Sequence, residues 1–170
     1  MPLDGNKTYH GGTVTRWGAN NLQNTYWNQF TSFYNQRPTD TIWWGLCSFP
    51  PTQGGETDDS NYDSALRIRA ELERRIPGVT VYVTAINDFV APHTCDVTGP
   101  DGPARMRALA DRLVSEGRAL PGPVLRPLIS IYQTPSAGAT SKTNQTKKDG
   151  CHPNKKNLTF QGQPVFDFFH

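Results

Sequence analysis

Asp149 and His152 stand three residues apart in the stretch Asp149-Gly150-Cys151-His152-Pro153-Asn154, near the end of a 170-residue chain. A carboxylate beside an imidazole is the pair that general-base chemistry needs. The carboxylate fixes the ring's tautomer and stabilises the imidazolium that forms when the ring takes a proton. Gly150 and Pro153 punctuate the stretch, so it reads as a loop able to preset that geometry. Lys142, Lys147, Lys148, Lys155 and Lys156 flank it; such a run is first of all a solvated loop, with an attraction for anionic substrates as its functional reading.

A base needs a hydroxyl to act on. Ser48 follows the run Thr41-Ile42-Trp43-Trp44-Gly45-Leu46-Cys47 and is one candidate nucleophile; its plainer reading is the polar residue that ends a strand. A metal reading can be drawn from His93-x-Cys95 and Cys151-His152. Adjacent Cys and His seldom chelate one tetrahedral ion, however, and the spacings match no zinc pattern, so no metal and no cofactor are expected.

The elements that would position these groups alternate. Leu22, Tyr26, Phe30 and Phe33 recur at helical spacing with Trp27 beside them, predicting an aromatic-faced helix over residues 20–34. Residues 41–46 read as a short buried strand. Ser60-Asn61-Tyr62-Asp63 resembles a capping box, and Ala65, Ile68, Leu72 and Ile76 form one apolar stripe that Pro77-Gly78 stops. The β-branched run 79–84 is the strongest strand signal. Pro103 opens a helix carrying Met106, Leu109, Leu113 and Val114 and closed by Gly117. A further strand is predicted over 124–131, a polar loop over 133–150, a turn at Gln161-Gly162-Gln163-Pro164 and a short last helix bearing Val165, Phe166 and Phe169. Alternating helix and strand argue for one α/β domain over residues 1–170, with a parallel sheet between helical layers. Ligands of such sheets bind beyond the carboxyl ends of the strands, the edge where Ser48, Asn87-Asp88 and the Asp149/His152 loop are expected.

The block Asp149-Gly150-Cys151-His152-Pro153-Asn154, with Gly162 and the Phe166-Asp167-Phe168-Phe169 ending, resembles the last conserved block of the SGNH (GDSL-type) hydrolases. That resemblance implies a flavodoxin-like three-layer fold and a metal-free Ser-His-Asp hydrolase acting on a small ester or an acylated carbohydrate. His152 and Asp149 would be two members of its triad. The family's first block, Gly-Asp-Ser, has its nearest match in Asp4-Gly5-Asn6, where an asparagine stands in the nucleophile's place. Gly18 matches the family's oxyanion glycine. Its Gly-x-Asn-Asp block matches either Gly45-Leu46-Cys47-Ser48, the register that fits the order of strands, or Ala85-Ile86-Asn87-Asp88, the register that fits the letters. The family's first, central strand is missing. Either the sheet is rearranged, or a segment upstream of Met1 or another chain supplies the strand and perhaps the serine with it. The alternative to a hydrolase is a binding or structural subunit that keeps the fold without catalysis.

Net charge is +2, too balanced to point to nucleic acid, and no apolar run is long enough to span a bilayer. Cys47, Cys95 and Cys151, with sequons at Asn6, Asn144 and Asn157, lean toward a secreted protein with one disulfide and one spare thiol. Cys47 with Cys95 is the preferred pairing, because both follow predicted strands.

Overall fold

The computed structural model describes residues 12–19, 25–52, 56–90, 93–95, 97–130 and 144–170. The Asp4-Gly5-Asn6 match, the sequon at Asn6, Leu22 and Lys142 lie outside the described residues, as does much of the polar loop expected over 133–150.

Among the described residues, three parallel strands make a small open sheet in the order β1 (Thr41–Leu46), β2 (Thr80–Ala85), β3 (Leu120–Pro121). Strand β1 runs in full register with β2, from Thr41 opposite Thr80 to Leu46 opposite Ala85. Helix α3 (Asp58–Arg75) connects β1 to β2, and α4 (Gly102–Ser115) connects β2 to β3. The chain is therefore an α/β protein. Side chains alternate along a strand, so Ile42, Trp44 and Leu46 share one face with Val81, Val83 and Ala85. On that face they meet the buried stripe Ala65, Ile68, Leu72 of α3 and Met106, Leu109, Leu113 of α4. The two helical stripes predicted from apolar spacing are thus the two walls of the core.

The N-cap of helix α3 lies three residues before the expected one. Thr57, not Ser60, is the N-cap; its hydroxyl accepts from the Ser60 amide at 3.1 Å, while Asp58 and Asp59 sit in the first turn, where the helix dipole favours them. The short helix α1 (Val14–Trp17) crosses α3 closely at Gly18. In α2 (Thr25–Gln36) it is Trp27 that is fully enclosed, its indole N–H donating to the Trp17 carbonyl, whereas Phe33 is exposed.

Of the strand predicted over 124–131, the described residues 124–130 form no strand. Strand β3 holds two residues against Tyr82 and Val83, then leaves the sheet at Gly122, whose lack of a Cβ lets it lie against Thr84 and the Val83 carbonyl. Pro123 and Pro127 offer no N–H to a ladder, and pairing resumes only as an isolated parallel bridge between Phe89 and Leu128. The expected turn at residues 161–164 is instead the interior of α5 (Lys155–Phe169), which runs through Pro164 and ends with Phe168 and Phe169 edge-on to Tyr82.

Candidate functional site

The loop carrying Asp149 and His152 is tied to the carboxyl end of β2 through two intervening segments. Beyond β2, the Leu128 amide donates to the Asp88 carbonyl (2.8 Å) and the Val90 amide donates to the Leu128 carbonyl (2.9 Å). One residue further on, Ile129 accepts from the Gln145 amide (2.8 Å) and returns its own N–H to the Gln145 side chain (3.0 Å). Gln145 and Thr146 then hold the loop. The Lys147 amide donates to the His152 carbonyl (2.7 Å), and the Asn154 amide donates to the Gln145 carbonyl (2.9 Å), forming an antiparallel bridge between Thr146 and Pro153. Buried Thr146 and Ser130 share a hydroxyl hydrogen bond of 2.8 Å beneath it.

Within the loop, the Asp149 carboxylate is a hub. One oxygen accepts from the amides of Cys151 and His152, each at 2.9 Å, and the other lies 2.8 Å from His152 Nδ1. Partial burial opposes ionisation of Asp149. The two amides, the ring contact and the ring's charge outweigh it and hold the carboxyl below its ordinary value. An ionised Asp149 can only accept, so Nδ1 carries a proton toward it, and whenever the ring is unprotonated at Nε2 that nitrogen is the acceptor. The imidazole is open, with 61% of its side chain exposed. Asn154 closes the loop by capping α5: its side-chain oxygen accepts from the Asn157 amide while its NH2 donates to the Asn144 carbonyl.

The disulfide joins Cys95 to Cys151, leaving Cys47 free, which corrects the expected pairing of Cys47 with Cys95. The strand order gives the reason. Cys47 directly follows β1, but Cys95 lies ten residues past β2, after the chain has paired with Leu128 on the β3 side of the sheet. The bridge also uses both sulfurs that the metal reading required. Burial first, then the charge of Glu56, pushes the Cys47 thiol up to about 11, so it is protonated and unreactive near neutral pH.

The remaining predicted residues make their hydrogen bonds to partners other than the dyad, among the described residues. Ser48 is 1% exposed; its hydroxyl donates toward Glu56 (3.0 Å) and accepts from Asn61 (2.9 Å), and among the described residues no hydrogen bond joins it to His152. The Gly18 amide donates to the Val14 carbonyl (2.9 Å), a bond that an oxyanion contact would have to replace. Gly45 sits within β1, opposite Thr84. Asn87 spends its NH2 group on the Arg126 carbonyl (3.0 Å) and Gln161 (2.9 Å).

Two polar centres escaped the sequence reading. Gln161, buried on α5, accepts from Asn87 and the Arg126 amide and donates to the Arg126 carbonyl, clamping the helix to the chain beyond β2. Its neighbours Gly162 and Pro164 disguised it as part of a turn. Glu56, 6% exposed, accepts from the hydroxyls of Thr13, Thr15 and Ser48 and from the Phe49 amide. The polarity of Ser48 at a strand end was its one signal. Among the described residues, no helix is long and apolar enough to cross a membrane. Comparison with family models, curated proteins and solved structures finds no match.

Proposed function

We propose that the chain is an SGNH-like serine ester or acyl hydrolase with a flavodoxin-like sheet, in which His152 is the general base and Asp149 its orienting carboxylate. One observation carries the reading: Asp149 holds Nδ1 of His152 at 2.8 Å while the amides of Cys151 and His152 hold Asp149 itself. Nε2 then takes the proton of an attacking hydroxyl as its oxygen bonds to the acyl carbon, and returns it to the departing alkoxide; water releases the acyl group by the same two transfers. The substrate class is a small ester or an acylated carbohydrate, with no metal or cofactor taking part. The disulfide suits an oxidising compartment, and an extracellular location is assigned on that ground.

Hydrolysis of p-nitrophenyl acetate by the pure protein tests this. His152→Ala and Asp149→Asn should each lower kcat/KM by about 10²- to 10⁴-fold; a wild-type rate no higher than that of His152→Ala ends the enzymatic reading. Ser48 can serve as nucleophile only if it leaves Glu56. Labelling with a fluorophosphonate and mapping the modified peptide therefore identifies the hydroxyl, and an unlabelled Ser48 removes it.

A second reading, a non-catalytic subunit whose partner completes the sheet, is favoured by β1. Among the described residues no strand pairs with its outer edge, and Trp43 on it is 38% exposed. Light scattering separates the two, since a stable monomer with one cooperative melt counts against a shared sheet.

A further inference from the structure

We infer that Lys147 makes the proposed hydrolase selective for esters that carry an anionic group near the scissile bond; the inference rests on the functional reading above. The bond from the Lys147 amide to the His152 carbonyl and the bond from the Asn154 amide to the Gln145 carbonyl flank the bridge between Thr146 and Pro153, so Lys147 stands directly opposite His152. Opposite residues of an antiparallel pair point to the same side, their Cβ atoms roughly 5 Å apart. Burial follows the same alternation. Thr146 is 1% exposed and bonded to Ser130 beneath the loop, whereas Lys147 and His152 are both exposed. The Lys147 side chain therefore rises on the solvent side of the ribbon, beside the open imidazole.

The charge around the dyad is one-sided. Exposed Lys148 directly precedes Asp149, and exposed Lys155 stands in the first turn of α5, where the helix dipole disfavours a cation and no acidic residue offsets it. From residue 144 to 160 the one carboxylate is Asp149, and its oxygens are taken by His152 and two amides. Among the described residues no ion pair takes up Lys147, Lys148 or Lys155, while Arg69, Arg75, Arg105, Arg107 and Arg112 on α3 and α4 each face a carboxylate. The positive charge of this loop is thus left for a group that the chain itself does not provide.

An anionic group on the acyl chain or on the alcohol fits that requirement. Paired with Lys147, it sets the ester carbonyl within reach of the hydroxyl that His152 activates. At a hydrated surface such a pair is worth about fivefold in binding, and salt screens it. Lys147 is accordingly a specificity-determining residue, felt in KM more than in kcat.

Two ester pairs test this in the full chain, each an anionic ester against its neutral counterpart. The monoester 4-nitrophenyl hydrogen adipate against 4-nitrophenyl methyl adipate puts the charge on the acyl side; 5-acetoxy-2-nitrobenzoic acid against its methyl ester puts it on the leaving group. Relative to the hydroxide rate of each ester, kcat/KM should favour the anionic member of at least one pair by threefold or more at about 10 mM salt, mainly through KM, and the preference should vanish at about 0.5 M. Lys147→Gln should remove it and Lys147→Arg should keep it. Arg37→Gln, the same charge change at the amino end of β1, should leave it intact. A wild-type preference below threefold in both pairs, or one that survives Lys147→Gln, overturns the inference while the esterase stands. A protein inactive on all four esters refutes the hydrolase instead, and titration with monomethyl adipate, followed at the His152 ring protons by NMR, then decides on the anion site. A saturating shift that Lys147→Gln abolishes upholds the site, and the absence of saturation removes it as well.

Discussion

Replacing Glu56 by glutamine would put an NH2 group where four donors converge. At least one of the Thr13, Thr15, Ser48 and Phe49 groups would lose its acceptor in a buried site, and Glu56→Gln should cost about 2–3 kcal/mol by urea denaturation at pH 7. Burial raises the Glu56 pKa, but the hydrogen bonds from Thr13, Thr15, Phe49 and Ser48 outweigh it, so the folded value lies below the ordinary 4.5. A lowered folded value means that the ionised carboxylate's contribution is fully present above 4.5 and is lost as pH falls through the folded value. The gap between wild type and Glu56→Gln should therefore stay constant from pH 8 to about 5.5 and narrow only below 4.5. A gap that narrows already near pH 6 would contradict this environment. Asp149 and His152 were legible in the sequence because their contact spans three residues. The Glu56 cluster gathers residues from positions 13 to 61, and no local pattern announces such a meeting.

At the scale of elements, close approach sets the tolerances. A Cβ built on Gly18 would lie 2.5 Å from the Ser64 carbonyl oxygen and 2.7 Å from its Cα. Because the obstacle is backbone, Gly18→Ala must push α1 off α3, and a loss of about 1–3 kcal/mol is expected. Gly45→Ala is the control: nothing lies within 4 Å of a Cβ there, and its denaturation midpoint should move far less. Equal losses for the two would refute the crowding. Gly18 accordingly has a packing reason to be glycine, independent of any oxyanion. Elements β1, α3, β2 and α4 could be read from periodicity because their apolar stripes are the core itself. Helix α2 was legible from its aromatic spacing and the end of α5 from Val165, Phe166 and Phe169, but α1, β3 and the first half of α5 were not. Strand β3 is two residues long, ends in Pro121 and is followed by Pro123, and α5 continues through Gly162 and Pro164 because Gln161 fastens it from the side, a tertiary effect that overrides local propensity.

For the whole molecule, the bridge between Cys95 and Cys151 spans 56 residues and cross-links the last loop to the middle of the chain. Loop-closure entropy puts its stabilising effect at about 4 kcal/mol as an upper figure, with 2–4 typical. The double variant Cys95→Ser/Cys151→Ser should melt about 5–15 °C lower by scanning calorimetry; an unchanged Tm would show that the bridge adds nothing to folding. The α/β class and the presence of one disulfide followed from the order of elements and the cysteine count. The pairing did not, because it depends on which side of β2 the chain takes after Ala85.

Trp43, Tyr82 and Leu120 are register partners in one row across the three strands, on the face away from α3 and α4, and Trp43 donates its indole N–H to Thr84 at 2.9 Å. Trp27, by contrast, is fully enclosed. The two indoles therefore emit from different surroundings. Dissolved iodide can collide with the first and not with the second, so a quenchable, red-shifted fraction of the fluorescence reports on the face of the sheet away from α3 and α4, while the Trp27 emission of the core is left unquenched.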